Sequence, residues 1–130
     1  MAEELLQGKT DIVVDGNISA DKLLQLIRHN AEEDFLDYKL NYDHKDKKQK
    51  LELVRDLVSM ANTQGGYIVI GVGENKEVGT GFIPVGIDEE CQRGLDITKI
   101  YDQLTPFIVP RLDIRLTIYS LPELENNTFA

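Results

Sequence analysis

The segment 61–72 constrains the fold most, because a helical pattern stops there at a double glycine and a buried strand begins. Upstream of it, apolar residues recur at intervals of three and four, namely Leu51, Val54, Leu57, Val58 and Ala61. This spacing is typical of the buried face of an amphipathic helix. It predicts a helix over about 49–62.

Residues that permit a chain reversal follow this helix directly. Asn62, Gly65 and Gly66 tolerate positive φ, and they are predicted to form the turn that ends the helix. Residues 67–72 are almost without polar interruption, which predicts an interior strand covered on both faces. Phosphate-binding loops lead from a strand through glycines into a helix, so the opposite order found here argues against a Walker or Rossmann nucleotide site.

The remaining patterns predict an α+β fold with a mixed β-sheet packed against about three helices. They predict a short strand over 11–17, a helix from the N-cap Ser19 to about Asn30, a strand over 34–40, a hairpin within 76–90, a helix over 96–104 and a strand over 112–118. A turn over 122–127 is followed by a short apolar run without an evident hairpin partner. We therefore expect a domain over 19–130, preceded by an extension or short strand over 1–18 and truncated from a longer protein whose C-terminal domains are partners.

Length and composition restrict the class of protein. The chain has 130 residues, of which 42% are hydrophobic, and this is the size of one domain with one core. A single cysteine excludes an internal disulfide, and there is neither an apolar run of membrane-spanning length nor a secretory leader. These features predict a cytoplasmic protein that does not enter a membrane.

The charge distribution is uneven. A net charge of −9 opposes binding to a polyanion unless basic residues are concentrated on one face. Such residues are partly concentrated, and those predicted to contact nucleic-acid phosphates are Lys39, Lys45, Lys47, Lys48, Arg111 and Arg115. The alternative is that 43–48 is a solvated loop of mixed charge that only keeps the domain soluble.

Candidate chemistry centres on a predicted strand. Asp37 and Lys39 are two residues apart there, so both side chains leave the sheet on the same side. A carboxylate beside an ammonium can hold a divalent cation and orient a water, and Glu32, Glu33 and Glu74 could complete an oxygen-rich site. Taken alone, the same spacing also fits an exposed ion pair that contributes under about 1 kcal/mol.

These residues together resemble the Schlafen and AlbA-type putative DNA-binding family. The resemblance rests on Glu32, on the tripeptide 37–39, on the Ala-Asn-Thr-Gln-Gly-Gly turn over 61–66, on the Gly-Val at 71–72 and on the Val-Gly at 78–79. It implies an α+β domain of the kind found at the N-terminus of bacterial regulators and helicase-like proteins. Some members are metal-dependent endoribonucleases, and their three acidic ligands would correspond here to Glu32, Asp37 and Glu74, with Mg²⁺ or Mn²⁺ bound. Asp37 stands where glutamate is commoner, and Glu74 stands where aspartate is commoner.

Three functions follow from these observations, and they leave open whether the protein is an enzyme. The first is a module of a regulatory or helicase-related protein that binds DNA or RNA through its basic residues. The second is a metal-dependent endonuclease in which Glu32, Asp37 and Glu74 bind the metal and Lys39 assists catalysis. The third is a protein-interaction or oligomerisation domain, in which an exposed sheet edge meets another chain.

Overall fold

A computed structural model describes residues 12–104, 114–125 and 127–130. The described chain contains both helices and strands, which confirms the predicted α+β class. In chain order, the elements are α1 (Ala20–His29), β1 (Leu36–Lys39), α2 (Lys47–Ala61), β2 (Tyr67–Ile70), β3 (Val72–Glu74), β4 (Phe82–Pro84), α3 (Glu89–Gly94), α4 (Ile97–Leu104), β5 (Tyr119–Leu121), a 3₁₀ turn (Pro122–Leu124) and β6 (Asn127–Phe129).

Strand pairing is both parallel and antiparallel, as predicted, but within the described residues the strands form three two-stranded sheets and not one continuous sheet. β1 and β2 pair in parallel, with Leu36 opposite Tyr67, and α2 forms the connection between them. β3 pairs with β4, and β5 pairs with β6, both antiparallel. Ala130 and Ile70 exchange two backbone hydrogen bonds of 2.6 and 3.1 Å, which attach the β5–β6 hairpin to the parallel pair.

The parallel pair is covered on both faces, as the apolar run of β2 predicts. On one face lies a cluster that includes residues of α1, β1, β2 and β6, namely Leu23, Leu26, Ile27, Leu36, Tyr38, Tyr67, Val69, Val72, Leu121 and Phe129. On the other face lies a cluster built largely from α2, α3 and α4, namely Tyr42, Leu53, Val54, Ile70, Cys91, Leu95 and Ile100. Two small cores therefore enclose one pair of strands.

Side-chain caps fix the starts of the two long helices. Ser19 accepts a 3.2 Å hydrogen bond from the Lys22 amide, which confirms the predicted N-cap of α1. Asp46 caps α2, whose bounds agree with the prediction to within two residues. The predicted apolar stripe of α2 is wrong at Leu51, which is 54% exposed, because the helix directs Leu53 into the core instead.

The strand predicted over 67–72 is interrupted. Gly71 has φ of 115°, a conformation that side chains rarely adopt, and it separates β2 from β3. A Cβ atom at this position would lie 2.7 Å from Cδ1 of Phe129. Glycine is therefore required both by the backbone and by the close packing of β6. After this break, the chain pairs with β4 and no longer with β1.

Two further strand predictions are wrong in the described residues. Residues 114–118 lie outside any strand, although Ile114, Leu116 and Ile118 pack partly buried against the second core; residues 112 and 113 of that prediction lie outside the described residues. Residues 12–17 also form no strand, and their polar groups bond with side chains: Lys22 Nζ donates to the Val13 carbonyl at 2.6 Å. Alternating apolar residues indicate that a segment is buried. A segment can be buried in this way without joining a sheet.

Two elements were missed by the sequence patterns. α3 begins after Asp88, whose carboxylate accepts from the Cys91 amide at 2.8 Å, but its six residues are too few to show a helical period. β6 was expected to lack a hairpin partner, and this is wrong, since β5 pairs with it through Tyr119 and Phe129. A three-residue strand carries too short an alternation to be recognised.

The residues of the glycine turn after α2 differ in their backbone conformation and in their packing. Asn62 has φ of −78°, so the prediction that it uses its tolerance of positive φ is wrong. Gly65 does adopt positive φ, at 82°, and its amide donates to the Met60 carbonyl at 2.8 Å. Gly66 is needed for a close approach instead, since a Cβ atom there would lie 2.7 Å from the Phe35 carbonyl oxygen.

We expect Gly66→Ala to lower the free energy of unfolding by about 1–3 kcal/mol, because the added methyl group overlaps the backbone of Phe35. Urea denaturation followed by circular dichroism measures the loss. Gly79→Ala is the control, because Gly79 has positive φ but no atom within 4 Å of the added methyl group, so it reports backbone strain alone. If Gly66→Ala were as stable as the parent protein, the turn would have room for a methyl group at this position.

Candidate functional site

β1 divides its side chains between two environments. Leu36 and Tyr38 are buried in the first core, whereas Asp37 and Lys39 are half-buried on the opposite face, which α2 covers. Asp37 Oδ2 lies 3.2 Å from Lys39 Nζ. The two-residue spacing therefore places the carboxylate and the ammonium side by side.

A tight turn before β1 brings a second carboxyl group to Asp37. Glu33 and Leu36 exchange backbone hydrogen bonds of 2.8 and 3.1 Å, so the chain folds back and Glu32 Oε2 accepts from the Tyr38 amide at 3.2 Å. A hydrogen bond between the carboxyl groups of Glu32 and Asp37, assisted by burial, raises the pKa of Glu32 to about 7. Glu32 therefore retains its proton to a higher pH than an isolated glutamate does.

Lys39 contacts a third acid, which the sequence patterns did not indicate. Its Nζ atom lies 2.7 Å from Oδ2 of Asp56, on α2. Burial disfavours the charged form of Lys39, but the hydrogen bond to Asp56 and the nearby Asp37 charge outweigh it and raise the pKa of Lys39 above its ordinary value. The ammonium is therefore retained within a group of three carboxyls.

Asp56 is half-buried on α2. It follows the buried Leu53 by three residues and precedes the partly buried Leu57 by one, so it lies at the edge of the apolar face of α2. From that edge its side chain reaches β1. The sequence could have shown Asp56 as an acid at the edge of the apolar face of α2. It could not show which strand packs against that edge.

Glu74 lies at the end of β3 and is exposed. The break at Gly71 directs β3 towards β4, with Glu74 opposite Phe82. Within the described part of the chain, no group of three or more His, Cys, Asp or Glu side chains has an arrangement that could hold a metal ion. The structure thus brings Glu32 and Asp37 together and does not join Glu74 to them.

The basic residues fall into separate places. Lys47 and Lys48 occupy the first turn of α2, are exposed and, within the described ranges, form no ion pair. Lys45 lies just before the helix, and its Nζ is 3.8 Å from Glu90 Oε1, with both side chains more than 70% exposed. Exposed pairs of this kind contribute little. These three residues form one basic segment, which we call the α2 N-terminal lysines.

Arg115 lies near the other end of the same helix. It donates from Nη1 to the Gly16 carbonyl at 3.2 Å and lines a cavity of about 430 Å³ together with Met60 and Gly65. α2 has 15 residues, so its two ends are separated by about 20 Å. Arg111 lies outside the described residues. The predicted phosphate-contacting residues therefore do not form one continuous patch in the described structure.

The comparison with protein-family models places these features in a known family. The model described as Schlafen, AlbA_2 matches residues 32–123. The chain belongs to this family. No match was found among curated proteins or among solved structures. The matched region begins at Glu32 and includes the acid pair, α2 and the glycine turn, whereas α1 lies before it although α1 supplies three residues of the first core.

The AlbA_2 match agrees with the resemblance found in the sequence and indicates a nucleic-acid-related domain. It does not distinguish binding from cleavage. A separate observation concerns membranes: in the ranges that the structure covers, every helix is too short or too polar to cross a bilayer.

The raised pKa of Glu32 predicts a pH dependence of stability. Because the fold favours the protonated form, the stabilisation from this group is present below the ordinary pKa of 4.5 and is lost as pH rises through about 7. We expect the parent protein to lose stability relative to Glu32→Gln between pH 5 and pH 8, in urea titrations without metal ions. Parallel stability curves for the two proteins would contradict the raised pKa of Glu32.

Proposed function

We propose that this AlbA_2 domain binds nucleic acid and that the α2 N-terminal lysines, Lys45, Lys47 and Lys48, contact its phosphates. The observation that carries the proposal is the pair of exposed lysines in the first turn of α2, which no carboxylate neutralises within the described residues. The Asp46 carboxylate already accepts from the Lys48 and Gln49 amides at this helix start, so the attraction of a phosphate is assigned to the lysine side chains alone. Family membership supports the same assignment.

The overall charge determines how this binding should behave. At a net charge of −9 the whole protein repels a polyanion, so attraction is confined to distances shorter than the Debye length. Contacts by a few lysines give weak affinity that falls steeply with salt. Such contacts do not read bases, so we expect little sequence preference.

Lys39 is not part of this phosphate surface in our proposal. Asp37 and Asp56 already hold its ammonium, at 3.2 and 2.7 Å. A phosphate at Lys39 would meet more negative than positive charge. Arg115 is also left out, because it lies near the opposite end of α2 from the lysines.

The first test is fluorescence anisotropy of labelled DNA and structured RNA over a salt series. We expect the double variant Lys47→Ala/Lys48→Ala to weaken binding and to reduce the slope of log affinity against log salt by about 1 for each lysine, because two phosphate contacts are lost. The control is Lys76→Ala/Lys99→Ala, which changes the net charge equally at exposed lysines elsewhere. Equal effects of the two double variants would remove the assignment to α2.

A second candidate function is metal-dependent cleavage of nucleic acid, and the contact between the carboxyl groups of Glu32 and Asp37 favours it. Two carboxylates are fewer ligands than a metal cage needs, so this candidate requires water and substrate phosphates to complete the coordination of Mg²⁺. Glu32 and Asp37 would hold the ion, which would supply Lewis-acid activation of a phosphate or a water. A phosphate would be favoured near Lys39 only with that ion bound, because Asp37 and Asp56 otherwise outweigh the ammonium.

Cleavage is tested on a denaturing gel with labelled structured RNA, in Mn²⁺ or in EDTA. We expect Asp37→Asn and Glu32→Gln each to reduce cleavage by at least about 100-fold, since metal chemistry tolerates little displacement of its ligands. Glu52→Gln on the exposed face of α2 is the control and should retain full cleavage. Cleavage that persists in Asp37→Asn, or in EDTA, would identify a contaminating nuclease.

A further inference from the structure

His44 lies in the turn that leads into α2. The Asp46 amide donates to the Asp43 carbonyl at 3.1 Å, and the Lys45 amide donates to Asp43 Oδ1 at 2.9 Å, so residues 43–46 form a tight turn. His44 and Lys45 occupy the two central positions of this turn. His44 therefore directly precedes the α2 N-terminal lysines and is held in a defined backbone geometry.

The His44 ring packs on the end of α3. A Cβ atom at Gly94 would lie 2.5 Å from Nδ1 and 2.9 Å from Cγ of His44, so the imidazole rests directly on the Gly94 backbone. Nδ1 is the nitrogen that faces Gly94, and Nε2 lies farther from it. The ring is half-buried, and the described part of the chain offers neither nitrogen a hydrogen-bond or ion-pair partner. A ligand outside the chain could therefore bind Nε2.

We propose that His44 is a fourth phosphate-contacting side chain beside the α2 N-terminal lysines and that its protonation strengthens nucleic-acid binding as pH falls. The inference rests on the proposed function, because it adds one residue to the same surface. Histidine is the side chain that ordinarily changes charge between pH 5 and pH 8, and an imidazolium is a donor at both ring nitrogens. A phosphate gains a charge-assisted hydrogen bond from such a group in acid and loses it in base.

The charged groups of the turn leave this positive charge in place. Asp43 Oδ1 accepts the Lys45 amide, and the Asp46 carboxylate caps the start of α2. The other charged side chains there are the α2 N-terminal lysines themselves. An imidazolium at His44 thus extends a positive segment by one charge.

The groups of α3 also have partners other than His44. Glu90 Oε1 lies 3.8 Å from Lys45 Nζ, and Glu89 Oε2 lies 3.6 Å from Nη2 of Arg93. Burial raises the pKa of the Cys91 thiol, so this group stays uncharged in neutral solution. Within the described residues, no carboxylate contacts the imidazole directly and cancels its charge.

A packing role for His44 is the competing explanation. The ring fills the space above Gly94, so it could serve only to hold the turn against α3. That role predicts a loss of stability in His44 variants. It also predicts that these variants weaken nucleic-acid binding equally at every pH.

The experiment is fluorescence anisotropy of labelled DNA and structured RNA with the full chain at pH 6 and at pH 8, over a salt series in EDTA. We expect the parent protein to bind about twofold to fivefold more tightly at pH 6, the range of one exposed charge interaction. Its slope of log affinity against log salt should be steeper there by up to about 1. His44→Gln should lose most of this pH response, because its side chain stays neutral.

Two further variants separate charge from packing. His44→Lys carries a permanent charge, so it should show the same reduced pH response as His44→Gln but bind more tightly at pH 8. His29→Gln changes the other histidine of the chain, which lies on α1 and contacts Glu33 at 3.1 Å, and it should keep the parent response. Glu32, whose pKa is about 7, is present in every protein, so differences between the pH responses isolate His44. Urea denaturation at both pH values measures the stability of each variant.

The outcomes distinguish this inference from the function on which it rests. If Lys47→Ala/Lys48→Ala weakens binding but His44→Gln keeps the parent pH response, the role of His44 is overturned and the lysine surface stands. Equal weakening of His44→Gln at pH 6 and pH 8 would also overturn it and would assign His44 to packing. If the parent protein binds nucleic acid at neither pH, the proposed function and the role of His44 both fail.

Discussion

The parallel pairing of β1 with β2 is the constraint on which the rest of the described structure depends. Parallel strands cannot be joined by a tight turn, so the chain between them must cross over, and α2 provides the crossover. The return is possible because Gly66 approaches the Phe35 carbonyl oxygen, which then accepts the Tyr67 amide at 2.7 Å. Once the pair is formed, α2 necessarily covers one face of β1, and the Asp37 and Lys39 side chains lie beneath it.

This arrangement separates two kinds of electrostatic environment along one helix. Near its middle, α2 places Asp56 against Lys39, and the local balance is negative because two carboxylates, of Asp37 and Asp56, contact one ammonium. At its N-terminus, Lys47 and Lys48 are exposed. A negative site that could attract a cation and a basic segment that could attract a phosphate are therefore carried by the same element, which fixes the distance between them.

Much of the site could be anticipated from local patterns. The position of Ser19 as a cap, the end of α2 at a glycine turn and the shared face of Asp37 and Lys39 all follow from spacings of three or four residues in helices and two in strands. Where the prediction was wrong, a tertiary contact replaced the local rule. Ile114 and Leu116 bury apolar side chains without joining a strand, because the second core accepts them from an irregular segment.

Sequence by itself determined which residues are acidic, which are basic and that Asp37 and Lys39 share one face of their strand, because these properties depend on residue type and strand period alone. The tertiary structure decided which charges meet. Asp56 pairs with Lys39 because α2 crosses β1, and Glu74 is directed away because Gly71 ends the parallel strand. These contacts depend on how elements distant in the chain pack together. The periodicity of a single helix or strand contains no information about which distant element will pack against it.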